Sequence, residues 1–177
     1  MVKKKDTVLM KEADVRSCIR MLADMIVRRN PSVGSLVLLG IRTRGRNVAE
    51  RVVEQIDEIT GVKPLLGFID PRPYRDDSKY DGEDETDIPF NVDNTIVILI
   101  DDVLQSGRTM RAAMDAVVKY GRPASIRVAV LIDRGQREYP ITADYVGKVI
   151  PTSKNETIRL KLSDIDGGVD KVIIKSK

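Results

Sequence analysis

Two adjacent carboxylates, Asp101 and Asp102, close the apolar run Thr95-Ile96-Val97-Ile98-Leu99-Ile100, and the turn Gln105-Ser106-Gly107-Arg108-Thr109 follows shortly after. A strand that carries acids at its end and then opens a helix makes room for a phosphorylated sugar. The first N–H groups of a helix are unpaired and face outward with the positive end of the dipole. Gly107 allows close approach to an anion, and Ser106 and Thr109 add hydroxyls, so a phosphate monoester fits the turn. Adjacent carboxylates accept hydrogen bonds from a vicinal diol or hold Mg²⁺ through water. Alone, the turn is also an ordinary serine-capped strand-to-helix turn, and the acids are also an ordinary loop salt bridge to a basic residue or a turn signal. Together in one stretch they select a ribose phosphate.

A second basic loop, Arg42-Thr43-Arg44-Gly45, also follows an apolar run and offers two guanidiniums to a second anion such as diphosphate. The chain has no histidine, which excludes Ser-His-Asp and Cys-His catalysis and histidine metal sites. Its one cysteine, Cys18, rules out an internal disulfide and reads as a small core residue. With 30 basic and 27 acidic residues, the net charge of +3 does not by itself argue for nucleic acid. The acids crowd into residues 76–87. No apolar run reaches membrane-spanning length, and the start MVKKKDTVLM has basic residues without the apolar stretch of a signal peptide. A reducing cytoplasm, with no membrane partner, is the expected location.

At 177 residues the chain reads as one domain, 1–177. Residues 12–29 keep Val15, Ile19, Leu22 and Ile26 on one helical stripe. Residues 35–41 are apolar enough for a strand covered on both faces. Asn47 is read as the cap of a second helix, and 64–70 as a strand. A polar stretch, 71–94, has neither period, and loops longer than about 12–15 residues are usually lids or insertions. Then come a strand at 95–101, a helix at 109–120 stopped by Gly121, a strand at 126–133, and shorter strands at 143–150, 157–162 and 171–175. The alternation predicts an α/β fold: a mostly parallel central sheet with helices on both faces, ligands gathering at the carboxyl ends of its strands.

These pieces resemble the type I phosphoribosyltransferases, and more narrowly the pyrimidine operon regulator family, PyrR. The resemblance is carried by LLGIRTRG (38–45), YRDD (74–77), DIPF (87–90), DDVLQSGRT (101–109), GRPASIRVAVLIDRGQRE (121–138) and ADYVGKVIPTSKNE (143–156). It implies the type I phosphoribosyltransferase fold, with a long lid loop and a small C-terminal hood at 143–177. It also implies two activities: Mg²⁺-dependent conversion of uracil and 5-phosphoribosyl diphosphate (PRPP) to UMP and diphosphate, and UMP-responsive binding to the leader RNA of a pyrimidine operon. Asp101, Asp102 and Arg44 would be catalytic, the two acids also holding Mg²⁺ through water or ribose hydroxyls. Gln105, Ser106, Gly107, Arg108 and Thr109 would take the 5′-phosphate, and Arg42, Thr43, Arg44 and Gly45 the diphosphate. Tyr74, Arg75, Asp76 and Asp77 would belong to the lid, and Val149, Ile150, Lys154, Thr157 and Ile158 to the base site. Arg16, Arg20, Arg134 and Arg137 would face RNA, and a homodimer or larger homo-oligomer is implied.

The chain departs from the family pattern at three places. Gln105-Ser106 replaces the commoner Tyr-Thr, and Asp70-Pro71-Arg72-Pro73 replaces Asp-Ile-Thr-Leu before the lid. Ala23 and Gln136 stand where histidine is common, and Thr142 where arginine is usual. A phosphoribosyltransferase without RNA regulation, or one taking a purine or orotate, is the alternative reading. A receiver-like phospho-acceptor pocket also follows an apolar strand ILIDD, but that reading needs the acids on the first strand and no SGRT turn.

Overall fold

The computed structural model describes residues 6–176. In chain order it contains β1 (Thr7–Met10), α1 (Glu12–Arg29), β2 (Leu36–Ile41), α2 (Arg44–Thr60), β3 (Leu65–Ile69), β4 (Ile96–Leu104), α3 (Arg108–Val117), β5 (Ser125–Asp133), β6 (Tyr145–Val149), β7 (Glu156–Lys161), α4 (Ser163–Asp166) and β8 (Lys171–Ser176). Five strands form a parallel sheet in the order β3-β2-β4-β5-β6. A smaller antiparallel sheet, β1-β8-β7, forms the hood.

The uniform apolarity of β2 and β4 follows from this layering. Strand side chains alternate faces, and both faces are covered. Leu36, Leu38, Ile98 and Ile100 enter the core beneath α1 and α2, whereas Val37, Leu39, Val97 and Leu99 enter the core beneath α3. All are buried, each stabilising the fold by about 1.5–3 kcal/mol relative to exposure. Cys18 is buried in the first core, and burial pushes its thiol pKa up, as suits a packing residue.

Four details differ from the sequence reading. Helix α2 begins at Arg44, capped at Thr43, so Asn47 lies inside it. Strand β4 continues past the acids to Leu104, because its ladder with β5 runs on to the Leu104–Asp133 pair. Helix α3 ends at Val117, before Gly121. Gly121 instead gives room to Asp93, whose Oδ1 would lie 2.6 Å from an added Cβ. Finally, Thr7–Met10 forms the unanticipated strand β1, an edge of the hood.

The stretch 71–94 is irregular but tied down. It holds a short 3₁₀ turn at Arg72–Tyr74 and a two-bond bridge between Phe68 and Asp87. Fully buried Asp70 anchors its root, accepting from Arg72 Nε at 2.8 Å, Arg72 Nη2 at 2.7 Å and the Arg72 N–H at 3.0 Å.

Candidate active site at the strand ends

Two helices open at the same edge of the parallel sheet. Helix α2 starts directly after β2, and α3 directly after β4, the neighbouring strand. Each presents unpaired N–H groups and a positive dipole end, giving two anion positions on either side of the acids. The loop 42–45 contains a cis Arg42–Thr43 peptide and brings Gly45 against β4. A Cβ there would lie 2.6 Å from the Ile100 carbonyl oxygen and 3.0 Å from Asp101 Oδ1. Only glycine fits.

The phosphate turn is built to match. Gly107 caps α3 with φ of +89°, a left-handed conformation that favours glycine. Ser106 Oγ accepts a hydrogen bond from the Arg108 N–H at 3.3 Å, and the Ser106 carbonyl accepts from the Glu138 and Tyr139 N–H groups at 2.9 Å. Arg137 supports the turn from behind, donating to the Gln105 carbonyl at 2.9 Å and the Ile141 carbonyl at 2.8 Å while pairing with Asp133 at 2.5 Å.

Strand alternation sends the two acids to different cavities. Asp101 lines a recess of about 180 Å³ with Arg75, Ser106, Gly107 and Thr109. Asp102 lines a larger cavity of about 510 Å³ with Arg44, Gln105, Arg134, Thr157 and Ile158. The Asp102 N–H donates to Asp101 Oδ1 at 2.9 Å, so the carboxylates remain neighbours. Burial first, then the adjacent Asp102 charge, pushes the Asp101 pKa well above the ordinary carboxylate range.

The arginines of the loop 42–45 have partners on two sides. Arg42 pairs with Glu85 of the lid, and Arg44 donates to Asp166 of α4 at 2.9 Å. Asp166 also accepts from Lys161 at 2.7 Å and from the Leu162 N–H at 3.1 Å. The Lys161 bond above all, with the Leu162 amide and Arg44 adding to it against partial desolvation, holds its carboxyl down at about 2. Arg44 Nε is buried without a partner among the described residues, as is Arg111 Nε.

The lid residues divide in the same way. Arg75 donates to Asp77 through both Nε and Nη2 and faces the phosphate recess. Asp76 pairs with Arg108 at 2.5 Å and accepts from Tyr139 Oη at 2.7 Å. Tyr74 does not reach the recess: its hydroxyl donates to Asp84 at 2.9 Å and its carbonyl accepts from Arg111. Burial, then the Asp84 bond, pushes the phenol up to about 12.

The expected base residues are not all brought together. Thr157 and Ile158 face the large cavity with Asp102. Lys154 lines a neighbouring recess of about 300 Å³ with Gln105, Gln136, Arg137 and Glu138. Val149 is exposed at the end of β6, and Ile150 packs partly against the first core. Of the basic residues expected to face RNA, Arg16 and Arg20 are exposed on α1. Arg134 is not on the surface: it is 3% exposed and turned inward, which removes it from any RNA face. The guanidinium of Arg137 is occupied beneath the phosphate turn. Residues that the motifs did not single out also reach the site, among them Arg159 in the large cavity, Glu85 on Arg42 and Asp166 on Arg44. Each acts across a fold-level contact with no local sequence signal.

The phosphoribosyl transferase domain model matches residues 8–164. A protein named Bifunctional protein PyrR from Listeria welshimeri is 48% identical over 177 aligned residues, covering 96% of this chain and 97% of its own. The chain belongs to the PyrR family. A second relative of that name, from a Roseiflexus species, is 48% identical and covers 91% of this chain and 90% of its own. The Pyrimidine operon regulatory protein of Lactococcus lactis is 46% identical, with 93% and 94% covered. Membership also places the chain among phosphoribosyl transferases, and solved structures agree in fold. A hypoxanthine phosphoribosyltransferase from Trypanosoma cruzi superposes with a TM-score of 0.75 at 20% identity, covering 97% of this chain and 95% of that one. One from Staphylococcus aureus gives 0.68 at 24% identity, covering 85% and 79%. No helix among the described residues is long and apolar enough to cross a membrane.

Proposed function

We propose that the site is a uracil phosphoribosyltransferase centre, and that the protein also regulates pyrimidine genes by binding leader RNA in response to UMP. The carrying observation is the pair of helix openings at Arg44 and Arg108, set on either side of the Asp101–Asp102 pair. A molecule with an anion at each end and a ribose between them suits two such openings that share the acid pair, and PRPP is such a molecule. In the reaction uracil N1 bonds to C1′ of PRPP, the C1′–O bond to diphosphate breaks, and N1 gives up its proton. Charge separates as the leaving group departs, so fixed arginines and helix dipoles do most of the work, and no histidine is required. Arg42, Arg44 and the α2 N-terminus hold diphosphate. The turn Gln105–Thr109 holds the 5′-phosphate. Asp102, the carboxylate that lines the large cavity, takes the N1 proton in this proposal.

Mg²⁺ suits this donor set. No cluster of three metal-binding side chains occurs among the described residues. Two carboxylates fit an ion that keeps several waters and takes its remaining ligands from substrate oxygens. Asp101 and Asp102 would hold it, through water or the ribose hydroxyls, and it would supply charge neutralisation at the diphosphate.

The deciding assay is nucleotide formation from PRPP and Mg²⁺ with uracil, hypoxanthine, guanine and orotate in parallel. UMP as the main product supports the proposal, whereas activity only with another base overturns the uracil assignment. The RNA reading is supported by kinship with a protein named as a pyrimidine operon regulator and by exposed Arg16 and Arg20. A phosphoribosyltransferase without RNA control is the second reading. It is favoured by inward-facing Arg134 and by Gln136, whose side-chain amide is committed to the Thr152 carbonyl at 2.8 Å. Titration with pyrimidine leader RNA across salt, with and without UMP, separates the two: regulation requires a UMP-dependent gain that a scrambled loop lacks. Self-association into a dimer or larger oligomer in a reducing cytoplasm completes the proposal, and sedimentation velocity tests it.

A further inference from the structure

Arg134 stands at a junction that neither the phosphate turn nor the acid pair explains. It is 3% exposed and makes no carboxylate ion pair among the described residues. Its guanidinium instead donates in three directions. Nε reaches Thr152 Oγ1 at 2.9 Å, and Nη2 reaches the carbonyls of Glu156 at 2.6 Å and Ser153 at 3.3 Å. Nη1 reaches Gln105 Oε1 at 3.4 Å. Backbone bonds complete the junction: the Arg134 N–H donates to the Leu104 carbonyl at 3.1 Å, and the Thr152 N–H to the Arg134 carbonyl at 3.3 Å. The Glu156 carboxylate adds an attraction from a distance, but every direct hydrogen-bond partner of the guanidinium is a neutral oxygen, and burial draws its pKa down.

The geometry has a chemical consequence. A guanidinium only donates hydrogen bonds, so the Gln105 oxygen must face Arg134. The Gln105 NH₂ group is then turned away from Arg134, and one of the recesses that Gln105 lines is the large cavity with Arg134, Asp102, Thr157 and Ile158. We propose that Arg134 is a positioning residue for base recognition: it fixes the loop 152–156 and turns the Gln105 amide so that its NH₂ meets a carbonyl oxygen of a pyrimidine. This rests on the proposed reading of that cavity as the base site. It also gives a role to the Gln105 side chain, at a place where the family pattern has tyrosine.

The test compares two probes that differ only in the base, UMP and ribose 5-phosphate, by equilibrium binding to the full chain. Arg134→Met weakens UMP about tenfold and leaves ribose 5-phosphate within about twofold of the parent, which also certifies that the variant is folded. Arg134→Lys restores much of the UMP affinity. Gln105→Met, which removes the side-chain amide, lowers UMP affinity by a larger factor than ribose 5-phosphate affinity, since the backbone of the turn stays in place; if the Arg134→Met variant does not fold, this ratio and the lysine variant carry the test. Equal weakening of both probes, or undiminished UMP binding, overturns the proposal. If the parent chain prefers another nucleoside monophosphate to UMP, the uracil reading fails and the Arg134 effect is read with that nucleotide. A parent that binds no monophosphate more tightly than ribose 5-phosphate overturns both.

Discussion

Arg75 of the lid donates a 2.5 Å hydrogen bond to Oγ1 of Thr109, so the lid already touches the phosphate turn. The same guanidinium lies in the recess lined by Ser106 and Gly107. A 5′-phosphate in that recess would meet the Arg75 guanidinium on its wall. Hydrogen bonds to charged groups contribute about 1.5–3 kcal/mol, and Arg75 is partly exposed, so the lower end applies. Arg75→Ala is expected to raise the KM for PRPP about tenfold and to leave the KM for uracil nearly unchanged. Steady-state kinetics with each substrate varied in turn checks this.

Asp101 carries its carboxyl against the cost of burial. Replacing it with the isosteric amide removes that cost and keeps an oxygen to accept the Asp102 N–H. Asp101→Asn is therefore expected to leave the melting temperature unchanged or slightly higher. Activity should fall about a hundredfold or more, as when a group that stabilises transition-state charge is lost. Calorimetry beside the UMP assay separates the two effects, and a large drop in melting temperature would falsify the account of the buried carboxyl.

The hood has its own acid signature. The Asp166 carboxyl sits at about 2 in the folded chain, below the ordinary 3.8. A depressed folded pKa adds stability that is complete above the unfolded value and lost as pH falls through the folded one. Asp166 thus contributes fully above about pH 5, and its contribution drains away between about pH 4 and 2. In Asp166→Asn the fall in melting temperature over that acid window should be shallower than in the parent.

At the lid root, burial pushes Asp70 up, but the side-chain and backbone bonds from Arg72 more than offset it and leave the carboxyl below its usual range. Arg72→Ala leaves a fully buried carboxylate with fewer donors. The expected loss is about 1–3 kcal/mol, or a melting temperature lower by about 5 °C. Arg72→Lys should recover only part of it, because a point charge cannot replace the two-pronged contact.

The layers and the motif were legible from sequence because local pattern decides them. The doubly covered strands announce themselves as unbroken apolar runs at 36–41 and 96–100, and the phosphate turn as small residues after acids. What stayed hidden depends on distant pairing. Nothing near residue 104 says that β4 should outrun its acids; the ladder to Asp133 does. Arg134 reads as one more surface arginine until the loop 152–156 is folded over it. Lys154 and Thr157 are three residues apart in sequence but open onto different hollows, because the chain turns between them.

The contact at Gly45 sets a gauge. The backbone proposed to receive the leaving group rests directly on Ile100 and Asp101, with no room for a methyl group between. On that reading, one glycine-to-strand contact at the centre of the sheet sets the distance between the leaving group and the acids. The cavity proposed for the base includes Arg44 and Asp102, the chain neighbours of that contact, but its far wall is Arg134 after β5 and residues 157–160 of β7. Changes along that far wall can then alter which ring is accepted while the Gly45 contact stays as it is.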